Sequence, residues 1–189
     1  MAMELRTEER NEDDTDKKKT LEDEAKGYIP AASDLELTNK PDWTSSSAPL
    51  VAEFKLKVDG WVAGAGRKAM LPMGLFSAAE KNVFGHAERV HPIYFEYPSE
   101  KDDDITITLP SGWQVSSVPK ENVVDAHIVV YSLKAEGART SVHITRKLST
   151  DILLLEQKYY PALRNFYERV RTGDEEQVLL LPGGTTASN

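Results

Sequence analysis

VVDAHIVVYSL at residues 123–133, KAEGA at 134–138 and RTSVHITR at 139–146 decide how this chain is read. The first run is apolar on both parities, the pattern of a central strand covered on two faces. In the third run Thr140, Val142, Ile144 and Arg146 alternate with Ser141, His143 and Thr145, a period of two. Lys134 to Ala138, with Gly137, carries turn chemistry between them. The two runs are therefore expected as the arms of a hairpin.

The same period extends outward on both sides. Leu50, Ala52, Phe54, Leu56 and Val58 alternate with Val51, Glu53, Lys55, Lys57 and Asp59. Ile93, Phe95 and Tyr97 repeat the pattern, and so do Ile105, Ile107 and Leu109. Pro98 to Asp104 reads as an acidic turn joining those two as antiparallel neighbours. Downstream, Tyr159, Leu163, Phe166 and Val170 stand at helical spacing, with Pro161 in the first turn and Gly173 as the stop. Val178 to Leu181, closed by Pro182, is expected as a last strand. Strands at this spacing predict a mainly β protein, an antiparallel β-sandwich of immunoglobulin-like type.

Ahead of the strands the chain changes character. Residues 3–28 are dense in charge of both signs, and Ala, Leu, Glu and Lys favour helix. Thr20 followed by Asp23 could cap a restart before Leu21, and Pro30 ends the run. Leu5, Leu21, Ala25, Tyr28 and Ile29 form a thin apolar stripe that can dock but cannot build a core. The expected organisation is a charged N-terminal connector helix at 1–30 and a β-sandwich domain at 31–182. That domain includes the C-terminal helix at about 158–172, and a disordered tail follows at 183–189.

Bulk composition excludes more than it assigns. The 189 residues can form one good-sized domain or two small ones, and a chain this long buries ~70% of its unfolded surface. There is no cysteine, which removes disulfides, thiolate metal sites and cysteine nucleophiles. A net charge of -8 repels nucleic acid and anionic lipid. No apolar stretch approaches the roughly 20 residues of a membrane span. Met1 to Glu12 is too polar to be the apolar core of a secretory signal.

Each candidate for chemistry competes with a plainer reading. His86, Glu88 and His91 could bind zinc, but their spacing fits neither a helix face nor one side of a strand. Pro92 also holds His91 in extended backbone. His127 and His143 could face each other across the hairpin, with Asp125 beside His127 and Ser141 completing a triad; no nucleophile elbow places that serine. Gly60, Gly64 and Gly66 with Arg67 and Lys68 sketch a phosphate loop without its spacing, so a turn between strands is expected. Asp102, Asp103 and Asp104 are consecutive, which does not suit calcium, and a solubilising turn is expected. Trp43, Trp61 and Trp113 could line a sugar or peptide groove, though buried tryptophans more commonly serve the core. No cofactor is expected.

Six segments taken in order carry a family likeness: LEDEAK (21–26), NKPDW (39–43), PLVAEF (49–54), RVHPIYFEYP (89–98), ITLPSGWQV (107–115) and YYPALRNFY (159–167). Together they resemble the C-terminal region of bacterial transglutaminase-like proteins that also carry the DUF3857 and DUF3858 domains, acidobacterial members above all. The resemblance implies a C-terminal β-sandwich of the transglutaminase type, following a Cys-His-Asp core that has no counterpart in these residues. It further implies that any peptidase or amide-transfer activity belongs to that core, and that the protein works in the periplasm or cell envelope. The expected function is a non-catalytic accessory module that contacts the transglutaminase-like core or another protein. A free-standing peptide- or glycan-binding module is the alternative, and a metal-dependent hydrolase using His86, Glu88 and His91 a third.

Overall fold

The computed structural model describes residues 2–77 and 83–183. The chain divides into two compact units, Met1–Gly60 and Trp61–Asn189.

In the first unit, helix α1 (Ala2–Glu8) runs into a single 3-10 turn, and helix α2 (Asp14–Tyr28) follows. The helix expected over 3–28 is interrupted at Glu12 and Asp13. The Asp13 carboxylate accepts from the amides of Thr15 and Asp16 at 2.8 and 3.0 Å, so the new helix starts there. Thr20, read as a restart, lies inside α2. Leu21 is the buried position of that helix, and its charged residues cover the rest. Strands β1 (Ala32–Leu37) and β2 (Phe54–Val58) form an antiparallel hairpin with a wide connection. The alternation read from Leu50 enters the ladder only at Phe54. Before that, Asn39 replaces a ladder pair: its amide donates to the Val51 carbonyl and accepts from the Glu53 amide, each at 2.9 Å. Arg6 is buried and donates to the carbonyls of Asp42 and Ala48, which pins the connection.

The second unit holds β3 (Ala63–Ala65), β4 (Lys68–Pro72), β5 (Ile93–Tyr94), β6 (Ser99–Thr108), β7 (Trp113–Ser117) and β8 (Asn122–Asp125). It continues with β9 (Val129–Ala138), β10 (Ser141–Thr150), β11 (Leu154–Leu155), helix α3 (Tyr160–Asp174) and β12 (Gln177–Pro182). One antiparallel sheet has the order β6-β10-β9-β8, a second β3-β4-β12-β7, and β5 and β11 form a two-stranded ribbon. Both sheets and α3 feed one core. Tyr131, Leu133, Val142 and Ile144 come from the first sheet, Leu71, Val178 and Leu180 from the second, and Leu163, Phe166 and Val170 from the helix. The protein is mainly β and antiparallel, with helices at its N- and C-terminal ends, as the sequence predicts.

Local readings needed correction. Residues 123–133 are not one strand: the chain breaks after β8, with His127 at a positive φ of 65°. The hairpin turn is Arg139–Thr140, not 134–138, because Leu133 and Ala135 face the core while Lys134 and Glu136 face outward. Gly137 serves close packing: a Cβ there would lie 2.8 Å from the Val115 side chain of β7. Pro98–Asp104 is not a turn either, since its acidic residues enter β6, paired along its length with β10. Gly173 lies within α3, not beyond its end. Of the expected tail, Gly183 donates to the Gly112 carbonyl, and 184–189 lie outside the described residues.

Candidate functional site: a buried ion network beside a cavity

On β10 the inward positions are Val142, Ile144, Arg146 and Leu148, so period two aims an arginine at the core. Arg146 is 3% exposed. Its Nε donates to Asp174 Oδ1 at 2.7 Å and its Nη2 to Oδ2 at 2.9 Å, a bidentate pair. Asp174 is the last residue of α3. The Tyr131 hydroxyl of β9 donates to the same carboxylate at 2.9 Å, and the Arg146 guanidinium stands 5.7 Å above the Tyr131 ring. Asp103 of β6 adds a second carboxylate, 3.7 Å from Arg146 Nη1.

Burial raises the Tyr131 pKa well above the ordinary tyrosine value, and the Asp174 charge pushes it further up. Tyr131 therefore remains a donor throughout the neutral range. The glycine before Asp174 permits this geometry, because a Cβ on Gly173 would lie 2.6 Å from the Tyr131 hydroxyl. Two strands and one helix are thereby joined by charge-assisted hydrogen bonds, and Asp103 brings a third strand in through a longer ion pair.

A cavity of about 1000 Å³ opens beside this network, with Asp174 in its wall. Phe84, Phe95 and Tyr167 supply aromatic surface, with Phe84 and Tyr167 centroids 4.7 Å apart. Arg89, Glu96 and Arg171 give it charge of both signs. An aromatic wall with a few polar groups can hold a small ligand or a side chain of a partner.

The residues singled out from the sequence lie elsewhere. His86, Glu88 and His91 are exposed, and the His86 carbonyl accepts from the Tyr160 hydroxyl at 2.6 Å. Among the described residues, no three His, Cys, Asp or Glu side chains are grouped to hold a metal ion. Trp43 is half-buried in the first unit, while Trp61 and Trp113 pack against the core of the second. His127 does not face His143 across the hairpin. It is exposed in the break after β8, where its amide donates to Asp125 at 2.7 Å, whereas His143 stands opposite Glu136. His143 Nε2 lies 2.8 Å from Asp104, and Ser141 stands opposite Ala138 and Thr108. Gly66, at φ 64°, makes the turn between β3 and β4. Asp102 and Asp104 point outward from β6, and Asp103 points inward to Arg146. The network itself was missed, although Arg146 shares its parity with Val142 and Ile144.

No curated protein and no solved structure matches the chain. The family model described as Domain of Unknown Function with solved-structure structure (DUF3858) matches residues 67–180. That span, more than half of the chain, begins at the turn before β4 and ends in β12, and so contains α3 and the whole ion network. The chain belongs to the DUF3858 family.

Proposed function

We propose that this chain is a non-catalytic accessory module that contacts another domain or protein, with the core of a transglutaminase-like protein as its partner. The observation that carries the reading is an apolar pair on the β5–β11 ribbon. Ile93 and Leu155 point inward and are buried, whereas their neighbours Tyr94 and Leu154, paired in register, are 72% and 60% exposed. Two large apolar side chains held side by side on a regular ladder cost solvation unless something covers them. The resemblance of the six segments supports the choice of partner.

Titration calorimetry of the chain against a transglutaminase-like core encoded beside it tests this. Binding is expected, weakened about tenfold or more by Tyr94→Ser with Leu154→Ser, as for an aromatic anchor at an interface. No binding by the unmodified chain, or equal binding by the double variant, overturns it.

The cavity favours a second reading, a peptide- or glycan-binding module, with Phe84, Phe95 and Tyr167 in place of the three tryptophans. A thermal-shift screen against short peptides and oligosaccharides separates the two readings, since only this one expects stabilisation by a small ligand.

A further inference from the structure

We infer that the outer edge of β6 takes up an extended, lysine- or arginine-bearing segment of a partner protein as an added strand. The inference rests on the β6 edge and stands whether or not the Tyr94–Leu154 pair docks a transglutaminase-like core.

Strand β6 pairs with β10 over ten residues, from Ser99 opposite Thr150 to Thr108 opposite Ser141, with no shift of register. It is the last strand of its sheet, and among the described residues no strand pairs with its other side. The Leu109 amide donates to the Thr140 carbonyl at 2.9 Å, toward β10. Because an antiparallel ladder alternates, Thr108, Thr106, Asp104 and Asp102 direct their amides and carbonyls away from β10. Ile105 to Thr108 contains no proline, lysine or bulge, the devices that ordinarily blunt an edge.

Burial identifies what is missing. Val142 and Ile144 are 0% exposed, yet their partners Ile107 and Ile105 are only half-buried. A strand added at the outer edge would place its own inward side chains beside those isoleucines and complete their burial.

Charge selects the occupant. On the solvent face beside the edge stand Glu100, Asp102 and Asp104. Lys147 Nζ stands 2.7 Å from Glu100 and 3.8 Å from Asp102, and His143 Nε2 lies 2.8 Å from Asp104. Among the described residues these three carboxylates thus have one lysine within ion-pair distance. A second copy of β6 would bring like charges together, whereas a segment alternating basic and apolar residues would pair with the acids and cover the isoleucines.

The test uses the full chain and a fluorescein-labelled decapeptide of alternating lysine and valine, read by fluorescence anisotropy. One control replaces each lysine by glutamate; the other carries N-methyl groups on alternate amides, which removes edge hydrogen bonds but keeps the charge. The parent peptide is expected to bind at least about tenfold tighter than either control, and Thr106→Pro, which removes an outward donor, to weaken it about as much. The comparison of peptides on the unmodified chain decides the matter even if that variant fails to fold. Equal binding of the N-methylated or the glutamate peptide, or no binding of the parent peptide, overturns the inference. So does self-association of the chain in sedimentation that Thr106→Pro abolishes, which would make a second copy the occupant.

Discussion

Arg146 and Asp174 hold the two charges on which the interior of the second unit depends, 2.7 Å apart, with their side chains 2% and 11% exposed. Removing one partner of such a pair leaves the other charge buried without compensation, which typically costs 3–5 kcal/mol. Asp103 remains 3.7 Å from Arg146 and softens the loss. Asp174→Ala is therefore expected to destabilise the protein by about 3 kcal/mol in urea denaturation, and a loss below about 1 kcal/mol would show that the pair is not shielded as its burial implies. Half of this site was legible beforehand. An arginine in phase with Val142 and Ile144 needs an acid inside the fold, by the cost of burying an unpaired charge. Which acid answers it was not legible, because Asp174 lies 28 residues away on another element.

Among the elements, α3 was read nearly whole from its spacing. Leu163, Phe166 and Val170 are buried as expected, but Tyr160 takes the buried place at the start, and Tyr159 is exposed. The misreading of Gly173 yields a prediction. Gly173 lies inside α3, where alanine is the better helix former by about 1 kcal/mol, so with open space around it the change would be tolerated. Here the new Cβ would stand 2.6 Å from the Tyr131 hydroxyl and 2.8 Å from Asn122 Nδ2. Gly173→Ala is expected to lower stability by about 2 kcal/mol in thermal unfolding, the usual cost of overpacking; a rise in melting temperature would refute close approach as the reason for this glycine. The β9–β10 hairpin teaches the same lesson. Gly137 and Gly173 each look like punctuation in one dimension, and each is a place where two elements come close.

For the whole molecule, the buried core cluster lies within 61–189, while the described residues of the first unit bury only Arg6, Leu21, Ile29 and Pro41. Expressed alone, 61–189 should unfold cooperatively with a near-ultraviolet circular dichroism signal, and 1–60 alone should show no cooperative transition. A segment of about 60 residues with so little burial is not expected to be stable by itself. Non-cooperative melting of 61–189 would refute the self-sufficiency of that core. Among the described residues no helix is long and apolar enough to cross a membrane.

By itself the sequence determined the class of this protein: alternation at Phe54–Val58, Ile105–Leu109 and Val142–Leu148 dictates half-buried strands, and the spacing of Leu163, Phe166 and Val170 dictates an amphipathic helix. These are local properties, since period and backbone preference act between near neighbours. Tertiary structure alone decided where the strands end, why glycines stand at 137 and 173, and that Arg146, Tyr131 and Asp174 meet beside a cavity. Those outcomes depend on contacts between residues far apart in the chain, which no window of sequence contains.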